Sequence, residues 1–211
     1  MTSRGDIVLE ATRISKSFPG VKALDDVSIT LRSGHLTALL GENGAGKSTL
    51  MNIIAGVFGA DEGEVRLGGE VVSFSNTREA HDAGIAMIFQ ELNLVSNLTV
   101  AANIFLGREP RNRLGFIDSA KMNRDAARLL KDLDLDVEPT TSLGQLRVGQ
   151  QQIVEIAKAL SCNARVLIMD EPTSAITEHE IDVLFGIVNK LKEQGVAIAY
   201  ITHKLEELTR I

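Results

Sequence analysis

The hydrophobic positions of this chain follow two different periods. In the first third they alternate with other residues, over 7–11 and again over 27–32, as expected for half-buried antiparallel strands. Residues 64–72 contain a pair of glycines between two such stretches and predict a hairpin. The run 36–40 predicts a short buried strand that leads into a helix over 48–55. The first third is therefore expected to form a β-rich layer around one strand–helix unit.

The period becomes helical between residues 99 and 160. Asp118 is a suitable N-cap for a helix in this stretch. One face of that helix collects the apolar residues Met122, Ala126, Leu129, Leu130 and Leu133.

Strands and helices alternate again in the last third. Strands are predicted over 166–169 and 196–202, with a helix between them that opens at a capping box formed by Thr177 and Glu180. Together with a strand over 85–89, this order predicts an α/β fold with a mainly parallel core sheet, an antiparallel β layer and an inserted helical subdomain. Ligands of such folds bind at the carboxyl ends of the parallel strands.

Composition narrows the possible classes of function. At 211 residues and 44% hydrophobic content, the chain suits one domain, or one domain with a subdomain. A net charge of −6 with scattered Lys and Arg argues against a nucleic-acid partner. The single Cys162 cannot form an internal disulfide and no leader precedes Ile7, so we expect a reducing, cytosolic compartment. No run approaches the roughly 18 apolar residues that span a bilayer, so a membrane role is expected to act through a partner.

A glycine-rich loop between the strand at 36–40 and the following helix predicts a phosphate site. Its glycines allow backbone N–H groups to turn inward around phosphates, Lys47 reaches the β- and γ-phosphates, and the Ser48 hydroxyl is a ligand for Mg²⁺. The chain is therefore expected to bind a nucleoside triphosphate with Mg²⁺. The loop that fits the pattern G-x-x-x-x-G-K-S/T consists of Gly41, Glu42, Asn43, Gly44, Ala45, Gly46, Lys47, Ser48 and Thr49.

Two further parts of the sequence indicate phosphate chemistry: the end of a buried strand and the start of a helix. The apolar strand 166–169 delivers Asp170 and Glu171 to a strand end, where one carboxylate can hold Mg²⁺ through water and the next can face the γ-phosphate. Burying adjacent carboxylates without a cation is costly. Gly149 lies at the start of a predicted helix and marks a second anion site.

With these residues in place, the chain resembles the ATP-binding subunits of ABC transporters from residue 7 to residue 211. Taken alone, each of the less specific residues has an ordinary alternative: Phe18 as core filler, Gln90 as a strand cap and His203 as a helix-start residue. The resemblance lies in the order of the motifs: Phe18 as the adenine-stacking aromatic, 41–49 as the Walker A loop, Gln90 as the Q-loop, 146–150 as the signature, Asp170 and Glu171 as the end of Walker B, 174–177 as the D-loop and His203 as the switch histidine.

The resemblance implies ATP and Mg²⁺ as cofactors and a role for each residue. Glu171 would be the general base, His203 would contact the γ-phosphate, and Lys47 would hold phosphate. The implied Mg²⁺ ligands are Ser48, Gln90 and Asp170. Phe18, the Walker A loop and Gln90 would bind this chain's ATP, whereas the signature residues Arg147, Gly149 and Gln150 would cover the ATP of a second nucleotide-binding domain in a head-to-tail dimer.

Residues 148–160 and 170–180 are similar to the same runs of bacterial importers for monosaccharides of the ribose, galactose and xylose type. This similarity implies sugar uptake through a membrane permease at the cytoplasmic face of the cell membrane, indirect dependence on an external sugar-binding protein, and no nucleic-acid partner. Such proteins usually carry two ATPase halves. The chain is therefore expected to be a C-terminally truncated N-terminal domain over 1–211, with an ATP-binding core at 1–90 and 161–211 and a helical subdomain at 91–160.

Two alternatives use the same ATP chemistry. A soluble ABC ATPase of DNA repair or translation is disfavoured by the compact insertion after Gln90, where repair ATPases have a long coiled coil. A non-hydrolysing fragment is favoured by the early C-terminus and by Arg147, because the family normally has serine at that position. The arginine could hold two domains too far apart, act as an arginine finger, or point to solvent. We expect the first. A small GTPase is disfavoured because the sequence contains no Asn-Lys-x-Asp motif.

Overall fold

The computed structural model describes residues 4–42, 44–90, 92–174 and 176–211. These residues fold into two compact units, the first covering 4–87, 164–171 and 185–211 and the second 88–163 and 172–184. The elements in chain order are β1 Ile7–Phe18, β2 Val21–Arg32, β3 Leu36–Leu40, α1 Lys47–Ile54, β4 Glu62–Leu67, β5 Glu70–Val72, α2 Thr77–Asp82, β6 Ile85–Ile88, α3 Val100–Ile104, α4 Ser119–Asp132, a 3₁₀ turn Leu143–Gln145, α5 Val148–Leu160, β7 Val166–Asp170, α6 Glu178–Glu193, β8 Ala197–Thr202 and α7 Leu205–Leu208.

Two sheets of four strands confirm the predicted α/β class. One has the order β2-β1-β4-β5 and is antiparallel, and it includes the predicted hairpin of β4 and β5. The other has the order β3-β8-β7-β6, and its central strand β8 pairs in parallel with both β3 and β7. Strands β7 and β8 are buried along their whole length, which explains their continuous apolar sequences.

One hydrophobic cluster joins the two sheets and α1. The antiparallel sheet contributes fully buried residues such as Leu9 and Ile14, and the parallel sheet contributes Ile168 and Ala199. Helix α1 adds Met51, which is also fully buried. Because α1 begins at Lys47, within the glycine loop, this packing fixes the direction in which the loop faces.

Helices α3, α4 and α5 pack on one another in the second unit. Asp118 caps α4 as predicted, accepting a hydrogen bond from the Lys121 N–H at 2.8 Å. The segment between α3 and α4 is not helical, although the stretch 99–160 has a helical period overall. Asn112 shapes a turn there by accepting the N–H groups of Leu114 and Phe116, a local bond that competes with helix formation.

Helix α5 also buries charge that its apolar pattern does not indicate. Glu155 is 4% exposed, and its Oε1 accepts the N–H of Asn93 at 3.0 Å. The Lys158 ammonium donates to the carbonyl of Asn93, also at 3.0 Å. Burial raises the pKa of Glu155 and lowers the pKa of Lys158. The two side chains thus hold the peptide groups on both sides of Asn93.

Replacing Glu155 with glutamine is expected to stabilise the chain increasingly as the pH rises from 5 to 8. The folded pKa of Glu155 is raised, so its contribution to stability is present below the unfolded pKa and is lost as the pH rises through the folded value. The neutral glutamine amide does not titrate, so its contribution to stability does not fall as the pH rises. Urea unfolding of both proteins across this range measures the difference.

The matched control is Glu138→Gln, which changes an exposed glutamate of the same unit and should show no such trend. An advantage of Glu155→Gln that stays constant with pH would contradict the expectation.

Among the described residues, no helix is both long and apolar enough to cross a membrane.

Candidate functional site

The parallel sheet places three parts of the predicted site at the carboxyl ends of neighbouring strands. Leu40 at the end of β3 pairs with Thr202 of β8, and Asp170 at the end of β7 pairs with Ile201. The glycine loop, Glu171 and His203 each follow one of these strand ends. Since parallel strands end at the same edge, residues far apart in sequence start from neighbouring positions.

Gly46 is the last glycine of the phosphate loop, has a left-handed backbone (φ 85°) and is the N-cap of α1. A β-carbon at this position would lie 2.6 Å from the carbonyl oxygen of Ala23, so only glycine fits. The Lys47 ammonium donates to the carbonyls of Gly41 and Glu42, at 2.7 and 2.8 Å. The Lys47 ammonium thus contacts the loop in which it was predicted to hold phosphate.

The remaining loop residues have simple placements. Gly44 and Ala45 are exposed, and Thr49 lies in the first turn of α1. Asn43 lies outside the described residues.

Asp170 and Ser48 are directly connected. The Ser48 hydroxyl lies close enough to the Asp170 carboxylate to lower its pKa through hydrogen bonding, and Asp170 as a residue is 9% exposed. Burial raises the pKa of Asp170, the hydrogen bond from Ser48 and the charge of Lys47 oppose that rise, and the charge of Glu171 adds to it. A cation would favour the ionised form.

A hydroxyl and a carboxylate supply the oxygen ligands that Mg²⁺ prefers. No group of three or more His, Cys, Asp and Glu residues suited to a metal occurs in the described part of the chain. Mg²⁺ commonly takes one or two protein ligands and completes its shell with water and phosphate oxygens. The pair Ser48 and Asp170 therefore fits such an ion.

Glu171 and His203 form a side-chain pair, with Oε1 and Nδ1 separated by 3.0 Å. An ionised carboxylate only accepts hydrogen bonds, so Nδ1 carries the hydrogen and Nε2 remains for another partner. Glu171 has a left-handed backbone (φ 47°), which is uncommon for residues other than glycine and often marks a functional position. The arrangement suits a base whose position is fixed by a histidine.

Phe18 ends β1 and is 38% exposed. Its ring meets that of Phe58 edge to face, with the centroids 5.5 Å apart. Lys16 Nζ lies 5.8 Å from each ring centroid. The ring is thus exposed in part, and its predicted stacking on a base stays a prediction.

Gln90 belongs to the second unit, where it follows β6 and is exposed. Its predicted role at Mg²⁺ stays a prediction.

The signature residues lie at the start of α5. Arg147 is exposed and is the N-cap residue, and its backbone N–H donates to Gln150 Oε1 at 3.1 Å. The Gln150 side chain thus caps the helix to which it belongs. Gly149 is buried.

Glu180, from the start of α6, lies against this glycine. A β-carbon on Gly149 would overlap the Glu180 carboxylate. Thr177 donates both its N–H and its hydroxyl to Glu180 Oε2, each at 2.8 Å. These bonds hold the pKa of Glu180 below its usual range, and the N–H of Gly149 and the charge of Arg147 lower it further.

The anion site predicted at Gly149 therefore holds a carboxylate of this chain. The sequence indicated Glu180 only as a helix cap, because its contact with Gly149 joins residues about thirty positions apart. Glu207 is another residue, among those described, whose contacts no sequence motif indicated. It lies beside the loop that carries His203.

Comparison with known proteins agrees with this architecture. The family model described as ABC transporter matches residues 24–174. The chain is 65% identical over 206 residues to a ribose import ATP-binding protein of Rhodopirellula baltica, covering 98% of this chain and 40% of that protein. It is 52% identical over 206 residues to a galactose/methyl galactoside import ATP-binding protein of Photobacterium profundum, covering 97% of this chain and 41% of that protein. The chain thus spans about two fifths of the length of these relatives.

Solved structures resemble it along nearly its whole length. A nucleotide-free ATP-binding cassette from an ABC transporter superposes with a TM-score of 0.84 at 30% identity, covering 97% of this chain and 84% of that one. A bacterial ABC transporter cassette solved as a dimer gives a TM-score of 0.80 at 26% identity, covering 96% and 90%. The matched motifs, the fold and these relatives lead to one conclusion: the chain belongs to the ABC transporter family.

Proposed function

We propose that this chain binds and hydrolyses ATP to power import of a sugar through a partner membrane permease. One observation carries the proposal: the carboxyl ends of neighbouring parallel strands lie side by side. The glycine loop, the Ser48–Asp170 pair and the Glu171–His203 pair are located at these strand ends. The sugar is suggested by the similarity to ribose and galactose import proteins.

Phosphoryl transfer to water depends mainly on positioning and charge. Lys47 and the loop N–H groups would hold the phosphates. Ser48 and Asp170, with Gln90, would hold Mg²⁺, which when bound neutralises phosphate charge. Glu171 would accept a proton from the attacking water, and His203, held through Nδ1, would turn Nε2 toward the γ-phosphate.

The site needs a second cassette to complete it. The signature residues Arg147, Gly149 and Gln150 would face the ATP of that partner in a head-to-tail dimer. The related cassette that was solved as a dimer supports a second cassette as partner. The further partners we propose are permease subunits and, indirectly, an external sugar-binding protein. The place of action would be the cytoplasmic face of the cell membrane, with residues 1–90 and 161–211 as the ATP-binding core and 91–160 as the helical subdomain.

Replacing Lys47 with alanine is expected to weaken ATP binding by roughly 10- to 100-fold, because a charge-assisted hydrogen bond contributes about 1.5–3 kcal/mol. Isothermal titration of this chain with ATP and Mg²⁺ measures the dissociation constants. Lys131→Ala, at an exposed lysine of α4, is the control and should bind like the unchanged chain. Equal affinity of all three proteins would contradict the assigned phosphate site.

Transport is tested separately. A protein that contains this sequence, assembled with its permease in proteoliposomes, should support ATP-dependent uptake of labelled ribose or galactose. ATP hydrolysis that no permease stimulates and that moves neither sugar would favour a soluble ABC ATPase instead.

A further inference from the structure

A buried carboxylate lies behind the loop that carries His203. Glu207, in α7, is 3% exposed. Its Oε2 accepts hydrogen bonds from the hydroxyls of Tyr200 and Thr202, each at 2.9 Å. Burying a carboxylate is costly unless donors satisfy it. These bonds therefore tie the short helix α7 back to the last residues of β8.

The same carboxylate holds both chain neighbours of His203. Thr202 precedes the histidine and donates its hydroxyl to Glu207. Lys204 follows it, and its backbone N–H donates to the Thr202 hydroxyl oxygen at 3.0 Å. The Lys204 ammonium lies 3.5 Å from Glu207 Oε1. The backbone is therefore fixed on both sides of His203, whereas the imidazole itself is half exposed.

Glu171 is held by the same strand. Its backbone N–H donates to the carbonyl of Ile201 at 3.1 Å, one residue before Thr202. Both members of the Glu171–His203 pair thus depend on the end of β8. An exposed imidazole on a free loop would sample several rotamers, but here its backbone cannot shift without breaking the bonds to Glu207.

We propose that Glu207 is a positioning residue that keeps the His203 imidazole against Glu171. The role rests on the proposed function for its chemistry, since the two side chains would orient the water that attacks the γ-phosphate. Without the carboxylate, α7 and the loop lose their common anchor. A displacement of about 1 Å at reacting groups can cost roughly 10²-fold in rate.

The test uses this chain with ¹⁵N-labelled histidine, together with Glu207→Leu and Tyr200→Phe. Leucine has nearly the size of glutamate but no oxygen that could accept the hydroxyls of Tyr200 and Thr202. His203→Gln identifies the His203 signals among those of the four histidines. In the unchanged chain we expect Nδ1 of His203 to be protonated and hydrogen-bonded. In both variants its resonance should move toward that of a freely rotating imidazole. Tyr200→Phe removes one hydroxyl and keeps the ring, so it gives the answer if Glu207→Leu does not fold.

The matched control is Glu206→Leu, at an exposed glutamate of the same helix, which should leave the His203 resonance unchanged. A loss of thermal stability in the Glu207 and Tyr200 variants without movement of that resonance would overturn the proposal, because Glu207 would then only support the fold.

Hydrolysis provides the second measurement. In an assembled importer containing this sequence, Glu207→Leu should lower kcat about 10-fold or more with an unchanged KM for ATP. An unchanged kcat would also overturn the role. A chain with the expected His203 resonances that does not bind ATP would refute the proposed function and leave the placement of His203 by Glu207 standing.

Discussion

Replacing Glu171 with glutamine is expected to leave ATP binding intact and to lower the rate of hydrolysis by about 10²- to 10⁴-fold, the range typical of a general base. Glutamine keeps the length of the side chain, and its amide oxygen can still accept the hydrogen bond that His203 Nδ1 makes at 3.0 Å. What it loses is the ability to take a proton from water. The variant therefore separates position from proton transfer.

The measurement is single-turnover hydrolysis in an assembled importer, with ATP affinity measured in parallel. Glu193→Gln, at an exposed glutamate in the last turn of α6, is the control for loss of one charge and should hydrolyse ATP normally. If Glu171→Gln hydrolysed ATP at the unmutated rate, another group would have to be the base.

Replacing Arg147 with serine should accelerate ATP hydrolysis by up to about 10²-fold, the change that a misalignment of about 1 Å can produce. Arg147 is exposed at the start of α5, where its length would separate two facing domains. Its charge also attracts Glu180, whose carboxylate lies against Gly149. A phosphate approaching Gly149 has to displace that carboxylate, and the arginine opposes the displacement.

Glu180→Gln tests this explanation, because it weakens the attraction to Arg147 while keeping the side-chain shape. It should also strengthen nucleotide-dependent dimerisation, and combining it with Arg147→Ser should add less than the sum of the two effects. Arg128→Ser, at an exposed arginine of α4, is the control and should leave turnover unchanged. A fall in turnover on Arg147→Ser would support an arginine finger instead.

The sequence predicts those parts of the site that are local. The glycine loop is recognisable because strand, glycines, Lys47 and helix follow one another, and Asp118 caps its helix because the N-cap rule involves only neighbouring residues. The class of fold follows from the alternation of strands and helices. Asp170 and Glu171 were predicted as a pair because a buried strand delivers both.

The contacts that were not predicted join residues through space. Glu180 was identified as a cap, but only the fold brings it to Gly149. Glu207 belongs to a short stretch of glutamates that resembles a solvated helix surface, and its burial depends on the return of α7 toward Tyr200. Glu155 lies between the apolar residues Val154 and Ile156 of α5, and nothing in the sequence indicates that the backbone of Asn93 approaches it.

The left-handed backbone of Glu171 has an evolutionary consequence. Glycine would occupy this conformation with less strain, since the left-handed region costs other residues roughly 1–2 kcal/mol. A drift toward glycine would therefore relax the backbone and at the same time remove the carboxylate. Selection for activity and selection for stability thus oppose each other at this position, and descendants freed from the need to hydrolyse ATP would be expected to lose this glutamate early.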